Sequence, residues 1–460
     1  MLKFLNTRFF ILFVFPFFLG SITVLGFNPF NLLFINVFSM SMLFYLIYYV
    51  KKKTQSSYRK KPFLKNLFFL GSAYGFGFFL FGLYWISYSL TFDPSFKFLI
   101  PFALILIPLF LSLFFSIPII LIGNFIEFKI SSIILISILF SISDFLRSFI
   151  LTGFPWNLWG YSLSWSQESL QILNLIGFFA LNLIFITILF LPVTFFFKGK
   201  LKYIFISFFV ILLFSNYFFG SYKINSEKDD TENRINFKVA SSGLKLSEFK
   251  NQILVLNNLI KISEPDKNQK TIFVWPEGVF LNENFKKNEE IKKKIKENFS
   301  KNHLIILGAN TEKIKNNNRN YYNSLLIIDN NTNIIREYNK QKLVPFGEFL
   351  PFEKFLKKLG FKKITEGYNS FTKGKDDSII KINFDNKIIN ILSLICYEII
   401  FPNFSGNQEK NFNFIVNISE DAWFGNSIGP QQHFVKAIYR SIENGSYTVR
   451  SANMGVSAFI

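Results

Sequence analysis

Long stretches of the N-terminal half carry no charge at all. Between Arg8 and Lys51 lie 42 uncharged residues, about twice the ~20 that cross a bilayer as a helix. Asn28-Pro29 near the middle is a turn signal, so the stretch predicts two helices, over 9–27 and 30–50. Uncharged runs at 66–92, 98–126, 169–197 and 203–222 predict four more, and 130–143 extends to about 150 if Asp144 and Arg147 pair across one helical turn. The first of these seven spans is long for a signal-peptide h-region and runs straight into the second, so it reads as a retained helix. Beyond 222 the period changes. Short runs rich in Ile, Val and Phe at 235–240, 271–275, 304–308, 322–328, 379–384, 388–396 and 412–418 read as strands. Helical patterns at 247–263, 286–300 and 430–443 lie between some of them, which is an α/β layered pattern.

Charge sharpens this division. The net +20 of the 460 residues splits into 15 basic against four acidic side chains over 1–220, and 35 against 26 over 221–460. The first half is too poor in charge for a soluble fold, while the second has ordinary globular composition and length enough for its own core. The expected organisation is a transmembrane helical domain over 1–222 and an extracytoplasmic catalytic domain over 223–460. Lys51, Lys52, Lys53, Arg59, Lys60, Lys61 and Lys65 follow the second span, and Lys198, Lys200 and Lys202 follow the sixth. Short basic loops stay cytoplasmic, which puts the N-terminus inside and residues after 222 outside. The uncharged loop 153–167 holds three Trp and a Tyr, read as an interfacial aromatic belt or the wall of a lipid-facing cleft. The Lys-rich helix at 286–300 is mixed in sign, a solvated face with no nucleic-acid motif beside it.

Three segments carry chemistry. Phe273-Val-Trp-Pro-Glu277 ends a strand on a carboxylate, Tyr338-Asn-Lys340 presents an ammonium, and Ile391-Leu-Ser-Leu-Ile-Cys396-Tyr397-Glu398 ends a strand on the chain's one cysteine. No intramolecular disulfide can form. A thiol becomes a nucleophile when a carboxylate takes its proton, and an ammonium can bind the oxyanion of a tetrahedral intermediate. Two His and one Cys make no plausible metal site. Apart from Asp144 and Arg147 the spans lack the intramembrane charges of a transport path.

The three segments resemble the Glu-Lys-Cys pattern of the nitrilase superfamily. Lys340-Gln-Lys-Leu-Val-Pro-Phe-Gly-Glu348-Phe-Leu-Pro, Asn417-Ile-Ser-Glu-Asp-Ala-Trp-Phe-Gly-Asn-Ser-Ile-Gly-Pro-Gln-Gln-His433, and Asp144-Phe-Leu-Arg147 with Thr152-Gly-Phe-Pro-Trp156 resemble more narrowly the apolipoprotein N-acyltransferase family. The resemblance implies a polytopic α-helical membrane domain followed by a nitrilase-like αββα sandwich, acting as a monomer in a bacterial inner membrane, with the catalytic domain periplasmic. It implies that Cys396 attacks a phospholipid acyl ester, with Glu277 as base and Lys340 plus a backbone N–H after Cys396 holding the oxyanion. The α-amino group of an apolipoprotein's diacylglyceryl-cysteine then takes the acyl chain from the thioester. Glu348 supports Lys340, Tyr397 and Glu398 shape the pocket, His433 is structural, and neither cofactor nor metal takes part. With water as acceptor the same residues would make a membrane-tethered amidase or hydrolase.

Phe352, Phe355, Leu356 and Leu359 recur at helical spacing with Lys354, Lys357 and Lys358 between them. This predicts an amphipathic helix which, with Phe346 and Phe349, is a lid for acyl chains. Two departures from the family stand out. The segment 239–249 reads Val-Ala-Ser-Ser-Gly-Leu-Lys-Leu-Ser-Glu-Phe where a Gln-x-Asn-Ile-Pro-Gln-like stretch is usual. Family members also continue past the strand at 447–460 to finish the sandwich and add a membrane helix, so the chain is expected to stop mid-domain.

Overall fold

The computed structural model describes residues 7–55, 61–226, 234–248, 251–281, 285, 287–315, 318–351, 370–404 and 411–460. The chain forms two compact units, Met1–Glu227 and Lys228–Ile460.

Apolar helices make up the first unit: α1 (Phe10–Gly26), α2 (Leu33–Gln55), α3 (Lys61–Leu83), α4 (Pro94–Ile122), α5 (Ile130–Arg147), α6 (Leu173–Leu189) and α7 (Leu201–Ser226). Among the described residues five of them, α2 to α5 and α7, are long and apolar enough to cross a membrane; α1 and α6 are shorter. Helices α1 and α3 meet backbone to backbone. A Cβ on Gly20 would stand 2.0 Å from Tyr74 O, and one on Gly77 2.2 Å from Phe17 O, the close approach that small residues allow between membrane helices. In α4, Pro118 has no N–H to give to Phe114 O, and Ser143 Oγ of α5 supplies the missing donor at 2.6 Å.

The aromatic loop differs from both readings of it. Trp156, Asn157, Trp159 and Tyr161 are buried inside the helical unit, and Trp165 alone of the three Trp is exposed. The cause is the ion pair at the end of α5. Arg147 Nη2 donates to Asp144 Oδ1 at 3.0 Å, Arg147 Nη1 donates to Trp156 O at 2.5 Å, and Asn182 Nδ2 donates to Asp144 Oδ2 at 3.0 Å. Asn182 Oδ1 accepts from Gly160 N at 2.7 Å. Peptide groups of Trp156, Trp159 and Gly160 are thereby satisfied, which lets uncharged aromatic residues fold inward rather than lie at an interface.

Two five-stranded sheets build the second unit. The first runs β1 (Phe237–Val239), β2 (Thr271–Val274), β3 (His303–Lys315), β4 (Asn318–Ile328), β5 (Ile334–Asn339). The second runs β10 (Ala458–Phe459), β9 (Tyr447–Asn453), β8 (Phe414–Glu420), β7 (Lys387–Ile395), β6 (Ile379–Phe384). In each, three central or edge strands are parallel and the rest antiparallel. Ile272, Val274, Ile306 and Leu325 meet Ile380, Ile391, Val416 and Val449 in a dry core between the sheets. The other face of the first sheet buries Phe273, Trp275 and Ile305 under Val255, Leu259, Ile291 and Ile295 of helices α8 (Gln252–Ser263) and α9 (Glu289–Asn298). Helix α10 (Gly429–Asn444) packs on β9 of the second sheet. The order is helix, sheet, sheet, helix.

The strand β5 had no clear signature, because Ile334-Ile335-Arg336-Glu337 alternates too briefly. The β3–β4 hairpin continues well past its apolar part through Asn310–Lys315 paired with Asn318–Asn323, where backbone pairing rather than burial defines the strand. The amphipathic helix expected over 352–359 as part of a lid lies outside the described residues.

Candidate active site

Four strand ends converge. β2 closes with Val274, and Trp275-Pro276 turn the chain so that Glu277 follows, with Gly278 at φ +72°. Gly308 on β3 lies directly beneath: a Cβ there would stand 2.5 Å from Glu277 Cα. β5 ends at Asn339 and delivers Lys340; β7 ends at Ile395 and delivers Cys396; β8 ends at Glu420.

The structure brings Glu277, Lys340 and Glu348 into one cluster. Lys340 Nζ donates to Glu348 Oε1 at 2.9 Å and to Glu277 Oε1 at 3.3 Å. Asn323 Nδ2, which has two hydrogens, donates to the same two oxygens at 2.7 Å each. Glu348 Oε2 accepts from Val344 N at 2.8 Å, and Glu277 Oε2 accepts from Glu420 N at 3.0 Å. Lys340 is almost wholly buried. Burial alone would lower its pKa, but the charges of Glu277 and Glu348 outweigh it, so the ammonium stays charged.

Cys396 sits at φ +48°, a left-handed backbone unusual for any residue but Gly, at the head of the short 3-10 turn Cys396–Ile400. Glu398 holds this corner. Its Oε2 accepts from Ile395 N at 2.8 Å; its Oε1 accepts from Gln341 N at 2.6 Å, Lys342 N at 3.0 Å and Tyr338 Oη at 2.9 Å. One buried carboxylate therefore fixes both the cysteine corner and the loop after Lys340. Burial raises Glu398 to about 7, against the backbone donors and Lys340, which lower it. Tyr397 is buried, its ring edge-on to Phe401 at 5.1 Å.

Burial pushes the Cys396 thiol far above its ordinary value and Glu277 adds to this, while Lys340 and a hydrogen bond with Ser419 oppose them. Burial thus favours the protonated sulfur, and a group able to take its proton would have to stand beside it for attack. Behind it, His433 Nε2 lies 3.2 Å from Cys396 O and His433 Nδ1 lies 2.9 Å from Asp421 Oδ1. Arg450 Nη2 donates to Asp421 Oδ2 at 2.8 Å, and Arg450 Nη1 donates to Asn417. Burial would raise Asp421, but Arg450 and His433 hold it down at about 2. His303 is a buried strand-edge residue bonded to Ser300 N and Asp266 O, well apart from this chemistry.

Comparison with known proteins now decides the family. The carbon-nitrogen hydrolase family matches residues 238–460, and the apolipoprotein N-acyltransferase N-terminal domain matches residues 19–191. The apolipoprotein N-acyltransferase of Rickettsia prowazekii is 31% identical over 442 residues, which cover 94% of this chain and 85% of that protein. The one from Rhizobium rhizogenes is 29% identical over 458 residues, 96% of this chain and 84% of its own length. The chain belongs to the apolipoprotein N-acyltransferase family. An amidase from Nesterenkonia sp. AN1 is 10% identical with a TM-score of 0.30 over 49% of this chain and 79% of its own, a likeness too low to carry weight. Membership makes the protein an acyltransferase and, with five helices among the described residues long and apolar enough to cross a membrane, a multi-pass membrane protein.

Two residues of this cluster had no signal in the sequence, Asn323 and Asn453, and Glu420 was legible only as part of the 417–433 motif. Asn453 Nδ2 donates to both carboxyl oxygens of Glu420 at 3.0 Å, and its Oδ1 accepts from Ser242 Oγ at 3.0 Å. The segment that departs from the family, at 241–244, is thus tied to the strand end that positions Glu277. A periodicity analysis cannot find such residues, since an Asn inside a site and an Asn on a loop look alike.

Proposed function

We propose that this protein transfers an acyl chain from a phospholipid to the α-amino group of the diacylglyceryl-cysteine that begins an apolipoprotein, through a thioester on Cys396. As sulfur attacks the ester carbonyl, Glu277 takes the thiol proton. Lys340 Nζ and a peptide N–H after Cys396 receive the negative oxygen. The C–O bond breaks, and Glu277 returns its proton to the departing lysophospholipid oxygen. The amine then attacks the thioester carbonyl and gives up a proton to Glu277. The C–S bond breaks, and the thiolate recovers that proton. Glu348 holds Lys340, Asn323 spaces the two carboxylates, and Glu398 and Tyr397 keep the corner in shape.

The observation that carries this reading is the convergence of a cysteine, a carboxylate and a buried lysine from three strand ends. All three come from one chain, so a monomer suffices. The basic loops at 51–65 and 198–202 support a bacterial inner-membrane protein with residues 1–222 as its membrane domain and residues 223–460 as a periplasmic catalytic domain. No cofactor or metal enters the scheme. Incubating the protein with phospholipid and a diacylated lipopeptide tests it: the peptide should gain one acyl chain by mass, and Cys396→Ala should abolish the gain. Release of free fatty acid with no N-acylated peptide would make the protein a hydrolase instead.

A further inference from the structure

Two lysines beside the site have no carboxylate to themselves. Lys342 follows the catalytic lysine by two residues. Its peptide N–H is fixed on Glu398, and its ammonium lies 5.0 Å over the ring of Phe401. That ring packs edge-on against Tyr397, the neighbour of Cys396. A short line of contacts therefore runs from the nucleophile to the Lys342 ammonium. Lys373 arrives from another segment. Phe371 N donates to Glu348 O, Thr372 N to Tyr321 O, and Gly374 N to Lys340 O at 2.8 Å. A Cβ on Gly374 would stand 1.9 Å from Asn339 O, so the backbone around Lys373 lies flat along the chain that delivers Lys340.

Among the described residues neither Lys342 nor Lys373 forms an ion pair. Burial and then the charge of Lys373 lower the pKa of Lys342, and the one carboxylate that opposes them, Glu398, already accepts four hydrogen bonds. Lys340, by contrast, is held between two carboxylates. Two cations without a carboxylate partner of their own next to a lipid-handling site favour an anion between them. Lysine serves phosphate as a point charge. In a glycerophospholipid the phosphate is joined to the reacting ester through the glycerol carbons, so it lies close to the oxyanion position.

We propose that Lys342 and Lys373 form a phosphate-recognition site that holds the headgroup of the acyl donor. The inference rests on the phospholipid-donor reading above and adds the residues that select that donor. Acyl-enzyme formation, read as a mass gain on Cys396, should be compared for a phospholipid and a diacylglycerol with the same chains in the same detergent micelles. The Lys342→Gln/Lys373→Gln double variant should lose ten-fold or more in kcat/KM for the phospholipid, chiefly through KM. Its preference for phospholipid over diacylglycerol should collapse, and Lys342→Arg should keep that preference. Equal loss with both donors, or an unchanged preference, would overturn the assignment. Inorganic phosphate is the second probe. Competition against phospholipid with no effect on diacylglycerol turnover supports a headgroup site; an effect on both would make it a site for the free anion and overturn the proposal. Acyl-enzyme from neither donor in the unaltered protein would remove the donor reading itself, and this inference with it.

Discussion

Each unit of the molecule buries a charged cluster, and the two are balanced differently. In the helical unit Asp144 and Arg147 pair one to one; their side chains also bond the backbone of 154–159 and Asn182, and the guanidinium lies over the Phe79 ring. In the β unit two carboxylates share one ammonium, a thiol stands beside them, and a third carboxylate pins the loops. A balanced pair has one comfortable arrangement, so it fixes structure. An unbalanced set leaves one carboxylate able to accept a proton, which is what a catalytic cycle needs. The comparison teaches that burial of charge by itself does not mark an active site; its stoichiometry does.

The sharpest break is on the catalytic side. Lys340→Ala should reduce N-acyltransfer by about three orders of magnitude or more in the protein that remains folded, measured as product mass over time alongside thermal unfolding. On the structural side, Asp144→Leu should do the reverse. It strands a buried guanidinium and should cost about 3–5 kcal/mol of stability, seen as earlier thermal unfolding in detergent, while protein that remains folded keeps its turnover. If Asp144→Leu lowered turnover and left stability intact, the division between the clusters would fail.

Glu398→Gln sharpens the contrast at smaller scale. An amide cannot accept from three peptide N–H groups without turning its own NH2 toward one of them. Turnover should fall about ten- to a hundred-fold, together with faster alkylation of a loosened Cys396 by a small iodoacetamide probe. The raised value of about 7 also sets a sign: the native state holds this proton more tightly than the unfolded chain. Stability therefore declines as pH rises toward 7, and the Gln variant should lose that slope in a pH series of unfolding. Asp421 works in the opposite direction. Arg450 and His433 hold it to about 2, so its contribution is complete above its ordinary value of 3.8 and vanishes as pH falls through about 2. It amounts to about 2 kcal/mol, and Asp421→Asn should flatten the acid limb of the same series. The smallest expected effect is Ser143→Ala, which leaves Phe114 O without its donor and should cost about 1 kcal/mol.

Much of the architecture was legible because a bilayer leaves so little freedom: the seven uncharged stretches fall on seven apolar helices among the described residues, five of them long and apolar enough to cross a membrane where seven spans were expected. The loop 153–167 was misread, since an aromatic belt and an aromatic core share one composition and only the contacts of Arg147 tell them apart. Strands buried on both faces were plain in Ile272–Val274 and Ile391–Ile395, whereas β5 and the outer β3–β4 hairpin, exposed and polar, left no period to find. At the candidate site, Glu277 and Cys396 were visible because each ends a run of apolar residues, and Lys340 because it opens the motif that runs to Glu348. Asn323 and Asn453 were not, because what singles them out is the partner brought to them from sequence positions up to 212 residues away.

Intact-mass spectrometry of the purified protein after brief exposure to phospholipid tests the central claim most directly. The account predicts one added acyl chain, located on Cys396, labile to hydroxylamine as a thioester and discharged when a diacylated lipopeptide is supplied. An acyl chain found elsewhere, or N-acylated peptide produced by a Cys396→Ala protein that never carries one, would contradict it.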